Sequence, residues 1–160
     1  MIASARVYVT TTTGVGVFGL LDQSTLTPLQ QWRDNHFGNP SNVGAGANAA
    51  SPPGDGVPNL IKYALGLDPF TPVTNRLVFP SIRQDGGQSY LTITVNRAAN
   101  PPDVSYRAEV SSDLRTWTSG PAYTTTLTNT ATQLVIRDNM PIGSGARGYI
   151  RLLFMPVPNP

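Results

Sequence analysis

The chain has 160 residues, a formal net charge of +2 and only 12% charged residues, so it fits one domain or two small ones and lacks the basic footprint of a nucleic-acid-binding protein. The absence of cysteine excludes disulfides, thiol chemistry and zinc–thiolate sites. The 15 glycines and 15 prolines are typical of strands and turns, and no apolar run approaches the ~18 residues that would insert into a membrane.

Residues 1–26 are predicted to form a β-strand arm. Val7 and Val9 alternate with polar or aromatic neighbours, and the run at 14–21 mixes glycine with β-branched residues, which favours one long strand or two short ones. No hairpin partner is evident before residue 76, so we expect this arm to pair far along the chain or with another molecule. The predicted contact residues of this assembly strand are Tyr8, Val9, Val15, Val17, Phe18 and Leu20.

The same run matches the spacing Gly-x-Gly-x-x-Gly at Gly14, Gly16 and Gly19. In dinucleotide-binding proteins this motif opens a helix whose N-terminus holds the pyrophosphate. Here the intervening valines and phenylalanine favour a strand, and no acidic residue ends a second strand at the expected distance. We therefore predict no cofactor.

Residues 27–75 are predicted to contain two short helices joined by a loop. Thr27 is a suitable N-cap and is followed by proline, while Gly38 is suited to end the first helix. The second helix should follow Pro58 and end at Gly66, because the Asp-Pro pair that comes next prevents its continuation.

Residues 76–160 have the pattern of β structure throughout. An Asp-Gly-Gly turn at 85–87 predicts a hairpin, and the alternation at 104–110 predicts one buried face and one wet face. The strand arginines are expected on solvated faces: Arg97, Arg107 and Arg151. Six strands spaced by roughly ten residues predict an antiparallel β-sandwich. The fold is therefore expected to be mainly β, with two short helices and the N-terminal strand arm.

The residues that carry chemistry are few, and packing or turn formation accounts for them. The only histidine, His36, lies near the end of the first helix among aromatic residues, and the only glutamate, Glu109, lies within a strand. Four aspartates occupy turn-like positions: Asp85, Asp103, Asp113 and Asp138. No carboxylate pair or nucleophile elbow is recognisable, so we predict that the protein is not an enzyme.

The stretch at 51–69 resembles the calcium loop of thrombospondin type 3-like and dockerin-like repeats. That pattern is Asp-x-Asp-x-Asp-Gly-x-x-Asn-x-x-Glu-Tyr, in the version that ends in Tyr-Ala-Leu-Gly-Leu-Asp-Pro. Asp55, Gly56 and Asn59 match it. The resemblance implies a loop built around a bound cation and followed by a short helix.

This loop departs from the calcium pattern at its strongest ligand positions. Ser51 and Pro53 stand where two carboxylates belong, and Lys62 replaces the bidentate acid. Ca²⁺ needs about six to eight oxygen ligands, and an ammonium repels it. We therefore predict no metal, a degenerate loop that kept its helix, and Asp55 as the cap of that helix. The alternative is residual calcium binding through Asp55, Asn59 and Asp68.

A wider resemblance covers the chain from Thr27 to Phe154. It rests on Trp32-Arg33-x-x-x-Phe37-Gly38, on Leu91-Thr-Ile-Thr, and on Tyr106-x-x-Glu109-Val-Ser-Ser-Asp-Leu-x-x-Trp117. These segments resemble the C-terminal module of large secreted or surface proteins of Verrucomicrobia and planctomycete bacteria. The resemblance implies an immunoglobulin- or fibronectin type III-like sandwich, an extracellular or cell-surface location and no enzymatic activity.

Two functions are compatible with these features. The first is a noncatalytic structural subunit of an extracellular fibre, surface layer or virus particle, which forms a homo-oligomer or polymer by donating its arm to a neighbouring sandwich. An arm that completes its own sandwich is the competing interpretation. The second function is a monomeric carbohydrate- or surface-binding accessory module, with a polysaccharide platform formed by Trp117, Tyr123 and Tyr149.

Overall fold

The computed structural model describes residues 6–11, 14–19, 26–98, 100–143 and 148–158. Its strands are β1 (Arg6–Thr11), β2 (Gly14–Gly19), β3 (Val78–Asp85), β4 (Gln88–Asn96), β5 (Val104–Ser111), β6 (Thr118–Ser119), β7 (Thr124–Asn129), β8 (Gln133–Pro141) and β9 (Tyr149–Pro156). Its helices are α1 (Pro28–Phe37) and α2 (Asn59–Leu65), with a 3₁₀ turn at Gly44–Gly46. The mainly β fold with two short helices is confirmed.

Strands β3 to β9 form a sandwich of two antiparallel sheets. One sheet has the order β3-β4-β8-β7 and the other has the order β6-β5-β9. Apart from the two-residue β6, this is the order of the first six strands of a constant-type immunoglobulin domain, in which a seventh strand pairs with the sixth. When β1, β2 and the two-residue β6 are left out of the count, the sixth strand is β9. Within the described residues β9 pairs only with β5.

The core between the sheets is apolar and is built from alternate residues of the inner strands. It consists of Leu65, Ile93, Val95, Ala108, Leu134 and Ile136, each at most 5% exposed. Successive strand residues point to opposite faces, so β4, β5 and β8 each contribute every second side chain. Burying one such aliphatic side chain contributes about 1.5–3 kcal/mol relative to leaving it exposed. The core therefore holds the two sheets and α2 together.

Both helices begin and end at the residues that local signals predict. Thr27 and Gln30 form a capping box, in which the Gln30 N–H donates to Thr27 Oγ1 at 3.2 Å and the Thr27 N–H donates to Gln30 Oε1 at 2.9 Å. The helices end at Gly38 and Gly66, whose φ angles of 68° and 71° are in the left-handed region. These local interactions decide where the helices lie in the sequence.

Asp103, just before β5, attaches both helices to the sandwich. Its Oδ2 accepts the N–H of Leu29 in the first turn of α1 at 2.6 Å, and its Oδ1 accepts the Tyr63 hydroxyl of α2 at 2.7 Å. The Tyr106 hydroxyl of β5 donates to the Ala64 carbonyl at 2.7 Å. Leu29, Tyr63, Ala64 and Val104 then form a second buried cluster. The expected turn position describes Asp103 only in part, because its carboxylate also binds residues of both helices.

The N-terminal strands form a two-stranded antiparallel sheet of their own, here called the N-terminal ribbon (β1 and β2). The register runs from Arg6 opposite Gly19 to Thr11 opposite Gly14. Of the two alternatives that the sequence left open, one long strand or two short ones, the structure has two short strands. The expectation that the first strand has no partner before residue 76 is wrong, since β2 follows β1 almost directly.

Three polar residues are buried where the sequence predicts solvent or a turn. Arg97 is 4% exposed; its Nε donates to the Thr130 carbonyl at 3.0 Å. Asp138 lies within β8 and is 6% exposed, and burial raises the pKa of its carboxyl despite an N–H bond from Met140. Glu109 is 7% exposed. The predictions of solvated or turn positions are wrong for these three residues, because other parts of the chain cover them.

Candidate functional site

The side chain of Lys62 is completely buried among oxygen atoms of the 51–73 loop. Its Nζ lies 2.9 Å from Asp55 Oδ2 and donates to the carbonyl oxygens of Pro69 and Thr71 at 3.2 and 3.0 Å. One carboxylate and two carbonyls are the oxygen types that a calcium loop offers its ion. In this chain the positive charge among them is the ammonium group of α2.

Asp55 is the anionic partner of that ammonium. Its Oδ1 accepts the Ser51 hydroxyl at 2.7 Å and the Val57 N–H at 2.9 Å, and its Oδ2 accepts the Val73 N–H at 2.7 Å. The hydrogen bond from Lys62, followed by those from Ser51 and Val73, holds the pKa of Asp55 well below its ordinary value. The expectation that Asp55 caps the helix is wrong, because the N-cap of α2 is Pro58 and it has no side-chain cap.

The other residues matched to the calcium pattern do not converge on Asp55 and Lys62. Gly56 adopts a φ of 75° and donates its N–H to Ser51 Oγ at 3.1 Å. The Asn59 amide donates to the carbonyls of Ala45 and Ala47, and Asp68 accepts the N–H groups of Phe70 and Thr71 in its own turn. Within the described ranges, no three acidic or histidine side chains are grouped to hold a metal ion.

A second ionic cluster lies on the outer face of the β6-β5-β9 sheet. Glu109 accepts from the Arg151 guanidinium at 2.6 and 2.9 Å, and its other oxygen lies 3.1 Å from Arg107. The guanidinium of Arg151 also stacks 4.0 Å above the Trp117 ring. The cluster joins β5 to β9 and covers Glu109, which explains why this glutamate is not solvated.

The aromatic residues proposed for polysaccharide stacking belong to different sheets. Tyr149 begins β9, whereas Tyr123 precedes β7 in the other sheet and is 45% exposed. Trp117 presents one ring face to Arg151. That ring face is therefore already occupied by a cation.

His36 has a local role in α1. Its Nδ1 lies 2.8 Å from the Trp32 carbonyl, and its ring centroid lies 4.9 Å from the Trp32 ring. Phe37 and Phe70 complete the aromatic group around it. These contacts match the packing role expected for this histidine.

The residues predicted for assembly fall mostly within the N-terminal ribbon. Tyr8 and Val9 lie in β1, Val15, Val17 and Phe18 lie in β2, and Leu20 lies outside the described residues. In the register, Tyr8 is opposite Val17, whereas Val7 is opposite Phe18 and Val9 is opposite Gly16. The donated face formed by these residues stays a prediction.

The chain has no significant match among family models, curated proteins or solved structures. No helix within the described residues has the length and apolar character needed to cross a bilayer. The functional interpretation therefore depends on the geometry of the ribbon, the loop and the sheet edges.

Proposed function

We propose that this protein is a noncatalytic structural subunit of an extracellular fibre, surface layer or virus particle. Subunits join when the N-terminal ribbon of one copy adds to the sandwich of a neighbour. The observation that carries the proposal is the ribbon itself, whose two strands pair with each other and form a sheet separate from the two sheets of the sandwich.

An isolated two-stranded ribbon is marginally stable in water, whereas three or more strands with an apolar face are stable. The ribbon therefore gains most by joining another sheet, where its outer edges find hydrogen-bond partners. Head-to-tail repetition of such a contact does not close on itself and builds a polymer.

The noncatalytic part of the proposal is supported by what the chemistry-bearing residues already bind. Lys62 is held by Asp55, and Glu109 is held by two arginines. His36 is engaged with the backbone of its own helix. Each of these groups stabilises a local structure, which is the role expected in a structural subunit.

The experiment compares the full chain with a variant lacking residues 1–21. Sedimentation velocity and negative-stain microscopy over a range of concentrations report assembly, and circular dichroism reports folding. We expect concentration-dependent polymers from the full chain and a folded monomer from the shortened chain. A full chain that stays monomeric contradicts the proposal, and a shortened chain that unfolds shows that the ribbon completes its own sandwich.

A further inference from the structure

The side of the sandwich between β3 and β9 is open at one end. We infer that this opening, here called the β3–β9 slot and lined by Pro80, Ile82, Leu91, Ile150 and Leu152, accepts the N-terminal ribbon of a second copy as an added strand. The inference rests on the proposed function and names the acceptor for its donated ribbon.

The first observation is an apolar face without a cover. Ile82 is opposite Leu91 and Pro80 is opposite Ile93, so both share the face of β4 that forms the core. Ile82 is nevertheless 64% exposed, and Pro80 is exposed as well. In a seven-stranded sandwich the last strand of the other sheet would lie beneath these residues.

The second observation is a row of unpaired backbone groups on β9. The Val157 N–H donates to the Asp103 carbonyl at 2.9 Å, which extends the β5–β9 register by one residue. Bonded and non-bonded positions alternate in an antiparallel pair, so Ile150 and Leu152 direct their N–H and C=O groups away from β5. Within the described residues these groups have no hydrogen-bond partner.

Helix α2 lies at the other end of this side. The Arg97 guanidinium, just after the end of β4, lies 4.9 Å from the Tyr106 ring centroid. The C-terminal end of β4 is therefore at the level of Tyr106 in β5 and of Phe154, which is opposite Tyr106 in β9. The α2 carbonyls of Ala64 and Leu65 accept bonds from Tyr106 and Ala98 at the same level. Ile82 and Ile150 lie several residues away, toward the opposite ends of their strands.

The other sheet edges carry features that discourage strand addition. Pro80 lies within β3, β6 has only two residues, and β7 has a register shift between Thr126 and Thr128. By contrast, β9 pairs with β5 over eight residues without a register shift, and its proline, Pro156, is at the end. The β9 edge is therefore the one best suited to accept a strand among those described.

The occupant follows from the chemistry of the slot. Unpaired backbone groups beside an apolar surface call for an extended segment with apolar side chains at alternate positions. The ribbon offers two strands of six residues each, with Val7 and Val9 alternating along β1. Within the described residues the ribbon strands pair with each other and not with β9, so we assign the donor to a second copy.

Two substitutions on one strand test the slot. Ile82→Lys places a charge inside the slot, and Phe79→Lys places the same charge on the opposite face of β3, where Phe79 is 43% exposed. Both side chains are exposed, so both variants should fold. We expect Ile82→Lys to weaken assembly at least about tenfold in sedimentation velocity while Phe79→Lys assembles like the original chain.

Amide hydrogen exchange on the full chain gives a second, residue-specific measurement. In the assembled state we expect the N–H groups of Ile150 and Leu152 to exchange at least about tenfold more slowly than in dilute monomer. Arg151 and Leu153 provide the internal control, since their N–H groups face β5 and should be protected in both states.

The outcomes separate the inference from the proposed function. Assembly that survives Ile82→Lys, with fast exchange at Ile150 and Leu152, overturns the slot and leaves the proposed function standing. A chain that never assembles overturns both. Protection that is independent of concentration shows that the ribbon enters its own slot. The full-length Val17→Pro variant places a proline within β2, and protection that persists in this variant shows an occupant other than the ribbon. Each of these two results overturns the second-copy donor.

Discussion

The helical segment at 27–75 and the N-terminal ribbon find their hydrogen-bond partners in different parts of the molecule. The helical segment is fixed by buried polar contacts, namely the Lys62 ammonium in its loop and the Asp103 carboxylate under both helices. The strands of the ribbon are hydrogen-bonded to each other as a separate sheet. The helices therefore depend on contacts with the sandwich, whereas the described strands of the ribbon bond to each other.

The physical reason for this contrast is that short elements need different kinds of support. Helices of ten and seven residues are too short to be stable alone, so they depend on tertiary contacts within the same chain. A ribbon satisfies half of its backbone groups internally and presents the rest at its edges. Four predictions test this difference, in order of decreasing effect.

Replacing the buried ammonium should have the largest effect. Lys62→Met leaves the Asp55 carboxylate without its cation in a closed loop, and breaking a buried ion pair costs about 3–5 kcal/mol of unfolding free energy. Urea denaturation followed by circular dichroism measures the change. Arg115→Met is the control, because Arg115 is exposed and its loss should change stability by less than about 0.5 kcal/mol. Equal effects of the two substitutions would show that the loop does not depend on this pair.

Removing the attachment of the two helices should have the next largest effect. Asp103→Ala deprives the Leu29 N–H and the Tyr63 hydroxyl of their acceptor, and a hydrogen bond to a charged group contributes about 1.5–3 kcal/mol. The same urea titration measures this loss. Asp113→Ala is the matched control, since among the described residues the side chain of Asp113 accepts from Ser111, Arg115 and Thr116 in its own turn. A larger loss in the control would contradict the role given to Asp103.

Acidification should weaken the helical segment through Asp55. The pKa of this carboxyl is lowered in the folded state, so its contribution to stability is complete above the unfolded pKa of about 3.9 and is lost as the pH falls toward the lower folded value. In the original chain we expect the urea concentration at the unfolding midpoint to decrease as the pH is lowered below 4. In Asp55→Asn the midpoint should be lower at neutral pH and should change less with acid. Parallel pH profiles for the two chains would refute this assignment.

Deleting the ribbon should have the smallest effect on the stability of the subunit. Without residues 1–21, the core and the Asp103 attachment remain, so the unfolding free energy should change by less than about 0.5 kcal/mol at concentrations where the full chain is monomeric. The same urea titration at low protein concentration provides the value. A loss as large as that of Asp103→Ala would place the ribbon with the helices as part of the subunit core.

The helix ends and the hairpin at 85–87 were predictable because their signals are local. Thr27, Gly38 and Gly66 each act through the backbone within a few residues, and Gly86 and Gly87 supply the positive φ angles of 56° and 78° that the turn requires. The pairing of β1 with β2 was not predicted, since the intervening Thr12-Thr13 lacks the glycine or asparagine that marks a two-residue hairpin.

The candidate sites were predicted less completely because their partners are distant in sequence. Alternation assigns Glu109 to the outer face of β5 but gives no sign of Arg151, which is 42 residues away and covers it. Arg97 is buried by a loop at Thr130, 33 residues away. The sequence shows that Lys62 replaces the bidentate acid of the calcium pattern. Its hydrogen bonds to the carbonyls of Pro69 and Thr71 are evident only in the folded loop.

The amino-acid sequence by itself determined the mainly β fold, the positions of both helices and the unusual lysine in the 51–69 loop, because alternation, capping and composition act over short distances. Only the tertiary structure decided that this lysine is a buried cation, that the N-terminal strands pair with each other, and that Ile82 on β3 is exposed. The exposure on β3 depends on which distant segments meet, whereas the Lys62 contacts and the pairing of β1 with β2 form in a loop and a turn that carry no recognisable local signal.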